Sequence, residues 1–200
     1  MMKIRSFDPL APFYDIFMAV FRGSIPAKII SRLRPREGDV VLDIGGGTGF
    51  NAGRIKDACR RVIVLDISPR MLERARKYGD LDLVLGNARM LPFKDRSLDV
   101  VMAVDSLHHV GDYPGVMEEA RRIGRGKFFF AEFFGRNLMG RLFTGVERFF
   151  LPVDYKSPDD FCLEASRQGI EGDYEYISSF EYFFLGEIRQ NGDSFHVHGG

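Results

Sequence analysis

The apolar run Val40 to Ile44 leads directly into four glycines within five residues, Gly45, Gly46, Gly47 and Gly49. Glycine reaches positive φ and carries no Cβ, so a ligand can lie directly on such a backbone. A helix opening behind the loop would add unpaired N–H groups and partial positive charge. Chemistry of this kind suits a nucleotide-like ligand or a carboxylate at the carboxyl end of a sheet. Asp66 ends the next apolar run, Val62 to Leu65, and lies 19 residues after Gly47, the separation one strand–helix–strand unit requires. A carboxylate there can accept both hydroxyls of a ribose, or it can simply cap a turn. Gly86-Asn87-Ala88 follows a third apolar run. Its amide could meet a base edge beside the small Ala88, although an ordinary Asn turn explains it equally well.

Two cofactor classes compete for such a loop: nicotinamide or flavin dinucleotides, and S-adenosylmethionine. The dinucleotide fingerprint G-x-G-x-x-G needs a third glycine. Glycines at 45, 47 and 49 give G-x-G-x-G instead; Phe50 or Asn51 stands where the third glycine belongs.

These residues need elements to position them. Prolines at 9, 12 and 26 punctuate an N-terminal stretch read as helices over Tyr14 to Phe21 and Pro26 to Leu33. Strands are expected at Val40 to Ile44, Arg61 to Leu65, Leu81 to Leu85, Leu98 to Val104 and Lys127 to Phe134. Helices are expected from the glycine loop to about Ala58, then at Pro69 to Tyr78, Pro114 to Ile123 and Pro158 to Gln168. Continuous apolar strands alternating with helices mean a parallel sheet covered on both faces. Glu171 to Ile177 and Phe180 to Ile188, separated by Ser178-Ser179, read as an antiparallel hairpin at the sheet edge. The expected fold is therefore α/β: a Rossmann-like doubly wound sheet of about seven strands, mostly parallel, with a C-terminal antiparallel hairpin. One domain is expected: a helical cap (1–37), a cofactor-binding core (38–134), acceptor-side helices and hairpin (135–190), and a tail (191–200).

Acidic and basic residues balance at 28 each, so no net field draws the chain to nucleic acid or anionic lipid. Cys59 and Cys162 lie far apart without ligand-like neighbours, and the N-terminus lacks an apolar leader. No stretch approaches the roughly 18 apolar residues of a membrane span. A cytoplasmic protein with reduced thiols is expected. His196 and His198 could supply half a metal site, but no cysteine or carboxylate cluster completes it, and no metal is expected.

Taken in order, these motifs resemble the class I S-adenosylmethionine-dependent methyltransferases, and within them the type 11 group that includes ubiquinone and menaquinone methyltransferases. The resemblance rests on Val41 to Gly49, Leu65-Asp66-Ile67-Ser68 with Met71-Leu72, Gly86-Asn87-Ala88 with Leu91-Pro92-Phe93, Ser97 to Val101, and Ser106 to Val110. Upstream, Ala11-Pro12-Phe13-Tyr14-Asp15 is similar to the family's A-x-x-Y-D element. The resemblance implies that Gly45 and Gly47 lie under the methionine part of the cofactor, with Asp43 orienting the loop and the amino group. It implies that Asp66 takes the ribose, Ile67 packs on adenine, and Asn87 and Ala88 border it, where many relatives have Asp in place of Asn87. Asp105 and Ser106 would lie near the sulfonium, and Tyr14 would close over the cofactor. The product would be S-adenosylhomocysteine.

Aligning a nucleophile with an already activated methyl group can contribute roughly 7–11 kcal/mol to lowering the barrier. A general base is needed only if the acceptor loses a proton, and His109 is the candidate, with His108 expected to point away. Phenylalanines in the N-terminal helices and after the fifth strand (Phe13, Phe17, Phe21, Phe133, Phe134, Phe143, Phe149 and Phe150) could line an apolar acceptor cleft, dock on the protein body, or make a dimer contact. The expected acceptor is a small molecule, lipophilic or aromatic, and the expected state a monomer or homodimer. The alternative is a non-catalytic module that binds the cofactor and regulates a partner. No Asn-Pro-Pro-Tyr or Asp-Pro-Pro-Tyr element follows the fourth strand; Asp105-Ser106-Leu107-His108 stands there instead.

Overall fold

The computed structural model describes residues 25–133, 153–178 and 181–189. Its first helix, α1 (Ile25–Leu33), precedes an alternating series: β1 (Val40–Ile44), α2 (Ala52–Ile55), β2 (Arg61–Asp66), α3 (Pro69–Ala75), β3 (Asp82–Leu85), β4 (Leu98–Val104), α4 (Tyr113–Ile123) and β5 (Gly124–Phe133). Then come α5 (Pro158–Arg167), β6 (Ile170–Ser178) and β7 (Glu181–Ile188). Seven strands form one sheet in the order β3-β2-β1-β4-β5-β7-β6. Strands β1 to β5 pair in parallel, and β7 joins β5 antiparallel with β6 outside it. The expected doubly wound sheet with its terminal hairpin is the fold observed. Tyr14, Phe13, Phe17, Phe21, Phe134, Phe143, Phe149 and Phe150, together with His196 and His198, lie outside the described residues.

The helices begin where local chemistry allows them. Ser68 accepts a hydrogen bond from Met71 N, with Pro69 in the first turn of α3. Asp112 and Ser157 do the same for α4 and α5, each again followed by proline. These side chains satisfy N–H groups that would otherwise lack partners at a helix start. Helices α2 and α3 are shorter than expected, each giving way to one 3₁₀ turn, Lys56–Ala58 and Arg76–Tyr78.

Strand alternation divides the core into two layers. Leu42, Ile44, Val101, Ala103, Phe128, Phe130, Tyr182 and Phe184 pack with α4 and α5. Val41, Val62, Val64, Val100, Met102, Phe129 and Phe183 pack with α1, α2 and α3. On the first side Phe161 of α5 stacks on Phe130 at 3.9 Å between ring centroids and meets Phe184 edge-on at 5.4 Å. The hairpin is thus tied to the parallel sheet through aromatic packing as well as backbone hydrogen bonds. Phe161 is fully buried. Phe161→Ala should cost about 3–5 kcal/mol of unfolding free energy, measured by urea denaturation; a loss under 1 kcal/mol would mean that α5 is not part of the core.

Candidate functional site

The order of the sheet reverses at β1. From there the chain builds outward through β2 and β3, then crosses back to β4 and β5. Loops leaving β1 and β4 therefore diverge at their carboxyl ends, the crevice in which open α/β sheets bind ligands. The glycine loop leaves β1 there, and Asp105-Ser106 leaves β4 beside it.

Backbone hydrogen bonds and the Asp66 carboxylate fix the loop. Gly45 N and Gly46 N both donate to Leu65 O, at 2.7 and 3.3 Å, and Gly49 N donates to Gly46 O at 2.9 Å. Gly47 N donates to Asp66 Oδ2 at 2.9 Å. Gly45, Gly47 and Gly49 all have positive φ, between 55° and 73°. A Cβ on Gly45 would stand 2.6 Å from Ser106 Cβ, and one on Gly46 would stand 2.6 Å from Asp43 Oδ2. A Cβ on Gly47 would meet nothing closer than 3.9 Å. The first two glycines thus let the loop sit down on the protein, and Gly47 presents the open face.

Asp43 is 1% exposed, and neither carboxylate oxygen has a hydrogen-bond partner among the described residues. Burial, reinforced by the charge of Asp66, pushes its pKa up to about 8. Asp66, half-buried at the tip of β2, accepts from Gly47 N on Oδ2 and from Ser68 N on Oδ1 at 2.8 Å. It therefore braces the turn as well as facing the crevice. A carboxylate oxygen can accept more than one hydrogen bond, so holding the loop and accepting a diol are compatible. Ile67, next in sequence, is 49% exposed.

Asn87 forms the turn that its sequence also allowed: Oδ1 accepts from Arg89 N at 3.0 Å. Ala88 is partly buried against the α4 side of the core. Arg122 of α4 positions this segment by donating to Leu91 O and Phe93 O, each at 2.9 Å, while Glu119 accepts from Leu91 N at 2.6 Å. This anchor has no local signal, since it links residues about 30 apart. Asp105 has φ 51°, and its N–H donates to Ala131 O of β5. Ser106 Oγ donates to Ile44 O at 2.8 Å, so the end of β4 is pinned to the end of β1.

The two histidines of the turn after β4 have different surroundings. His108, expected to point away, is 5% exposed, with Nδ1 2.6 Å from Glu132 Oε2 of β5. Tyr155 stacks on its ring at 4.5 Å, and Asp154 N donates to His108 O. A single 3₁₀ turn, Leu107–His109, rotates the first imidazole toward β5. His109 is partly buried and packs against the His108 ring at 3.7 Å. Glu132 was missed because only the pairing of β5 with β4 brings it to this turn.

Comparison with known proteins agrees with this geometry. A family described as "Methyltransferase domain", type 11, matches residues 42–130. The chain is 32% identical over 134 residues to a demethylmenaquinone methyltransferase of Renibacterium salmoninarum, covering 64% of this chain and 56% of that protein. It is also 32% identical over 142 residues to the ubiquinone/menaquinone biosynthesis C-methyltransferase of Paracoccus denitrificans, covering 64% and 57%. Over residues 42–130 the chain is similar to the type 11 methyltransferase domain. It spans little more than half the length of these curated relatives. The methyltransferase fold extends further in solved structures. A chain of the Haloferax volcanii complex between the Trm112 methyltransferase activator and a methyltransferase has a TM-score of 0.84 at 21% identity, covering 95% of this chain and all of that one. A Thermotoga maritima S-adenosylmethionine-dependent methyltransferase has a TM-score of 0.78 at 22% identity, covering 92% and 98%.

The residues present fit the family's cofactor. An orphaned buried carboxylate, an open-faced glycine backbone and a diol-capable carboxylate stand at one crevice, matching a ligand with cationic groups at one end and a ribose at the other. The raised Asp43 pKa carries a stability consequence. In the unfolded chain the group titrates near the ordinary carboxylate value, so stability falls as pH rises between about 4 and 8. Asp43→Asn removes that loss. The melting temperature of Asp43→Asn minus that of the native protein should widen from pH 5 to pH 8 and then level; a constant difference would show that Asp43 is already ionised in the fold.

Proposed function

We propose that the chain is an active methyltransferase that moves the methyl group of S-adenosylmethionine to a small lipophilic or aromatic acceptor. The observation that carries the reading is the glycine loop held between Asp43 and Asp66 at the carboxyl ends of β1 and β2. The bound cofactor supplies a methyl group already activated on a sulfonium. In this reading Gly45 and Gly47 offer the backbone on which its methionine end lies, and Asp43 faces its cationic groups. Asp66 accepts the ribose hydroxyls while keeping the loop in place. Ile67, too exposed for its apolar character, is covered by the adenine face, with Asn87 and Ala88 along its edge. Asp105 and Ser106 border the transfer point, and Tyr14 closes the site.

His109 takes the acceptor's proton where one must leave. His108, held by Glu132 and packed against the His109 ring, fixes where that imidazole stands. The lipophilic acceptor class is supported by the quinone-related names of the relatives and by the phenylalanine-rich segments that flank the core in sequence. We place the protein in the cytoplasm as one domain, monomeric or homodimeric, acting on a small molecule rather than nucleic acid. Among the described residues, no helix is long and apolar enough to cross a membrane.

A second reading makes the chain one half of a complex, binding cofactor and depending on or regulating a partner. It is favoured by Leu85 and Met90, 60% and 77% exposed at the end of the edge strand β3 and just beyond it. The activator complex of the Haloferax methyltransferase gives the reading a precedent on the same fold. Turnover by the purified chain alone separates the two.

The cofactor assignment is tested by calorimetric titration with S-adenosylmethionine, S-adenosylhomocysteine and NADH in parallel. The sulfur nucleotides should bind and NADH should not. Asp66→Ala should weaken binding at least tenfold, as expected for losing hydrogen bonds to a charged group. Binding of NADH alone would overturn the reading.

A further inference from the structure

Asp43 combines three features that its place in the fold forces together. It lies on a central strand, 1% exposed, directly beneath the loop. Neither of its oxygens has a hydrogen-bond donor among the described residues. Gly46 covers it so closely that no side chain could stand there. A buried carboxylate that is neither paired nor hydrogen-bonded is stable only as the neutral acid.

Among the described residues, the charge that acts on Asp43 is that of Asp66. From β2 the facing groups are Val64, its register partner, and the Asp66 carboxylate, whose negative charge opposes ionisation. From β4 the register partner is Met102, and the carboxylate beyond the end of that strand is Asp105. His108, His109 and Glu132 belong to the turn after β4 and to β5, one strand further from β1. Nothing described could ionise Asp43 except a cation arriving in the crevice.

We infer that Asp43 makes the site selective for a cationic ligand by exchanging its own proton for the ligand's positive charge. The inference rests on the cofactor reading above and deepens it. In the ligand-free protein the proton sits on an Asp43 oxygen. When a ligand carrying ammonium and sulfonium groups binds, the O–H bond breaks, its electron pair stays on the carboxylate, and the proton leaves to buffer. A neutral nucleoside offers nothing in return for that proton and leaves Asp43 uncharged. Selectivity for the charged cofactor thus comes from a group hidden under the loop, and affinity rises with pH until Asp43 is ionised in the free protein as well.

Calorimetry in buffers of differing ionisation enthalpy reads the exchange directly. S-adenosylmethionine should release close to one proton per molecule bound at pH 7 from the native protein, relative to Asp43→Asn, and none above about pH 9.5. The ligand's own amino group titrates near neutrality, but identically for both proteins, so it cancels in the difference. Affinity of the native protein should rise relative to the variant by close to tenfold from pH 6 to 7 and by about half that factor from pH 7 to 8. 5′-Methylthioadenosine, which has neither cationic group, should bind both proteins with no difference in protons released. Equal proton release by native protein and Asp43→Asn would overturn the inference while leaving the cofactor assignment standing. Failure of S-adenosylmethionine to bind either protein would instead remove the cofactor reading, and this inference with it.

Discussion

The turn after β1 has almost no side chains with which to hold itself, yet every group around it depends on its path. Its N–H groups are spent on the carbonyl of Leu65, on Asp66 and on Gly46 O. Ser106 reaches across from β4 to the carbonyl of Ile44, and its Cβ occupies the space that any Gly45 side chain would need. Three parallel strands therefore meet at one glycine turn, and the positions of Asp43, Asp66 and Ser106 follow from that meeting. Replacing polar side chains by backbone contact keeps one face of the loop bare, which is the property a ligand needs.

The same constraint explains why a buried acid is tolerated in the centre of the sheet. Strand β1 alternates Leu42 and Ile44 toward one core layer and Val41 toward the other, so position 43 must face the layer shared with α1, α2 and α3. An apolar residue there would extend that layer. Aspartate instead gives up packing and hydration together, a cost of the kind that accumulates at functional sites rather than in scaffolds. The scaffold is secured elsewhere, chiefly by Phe128, Phe130, Phe161, Tyr182 and Phe184, which knit the C-terminal hairpin to the parallel strands away from the crevice.

Much of this was legible in the sequence because the decisive signals are local. A buried strand running into clustered glycines, an acid one strand–helix–strand unit later, and a proline-led helix start after Ser68 each state their geometry within a few residues. The strand sequence and terminal hairpin followed from the same patterns. What escaped depends on contacts between distant segments. Glu132 reads as one acid in a phenylalanine-rich strand until β5 is laid beside β4, and only then does it meet His108. Arg122 reads as an exposed helical charge, yet it anchors the loop that carries Asn87. The burial of His108 against Glu132 depends on a single 3₁₀ turn, which periodicity over two residues does not specify.

The central claim is that one crevice, between the glycine loop and the tip of β2, holds the cofactor. A crystal structure of the protein grown with S-adenosylhomocysteine tests it most directly. The account predicts the ribose hydroxyls on Asp66, the methionine end on the backbone of Gly45 and Gly47 above Asp43, and the adenine between Ile67 and Ala88. Nucleotide density at any other edge of the sheet, or a ribose away from Asp66, would contradict it.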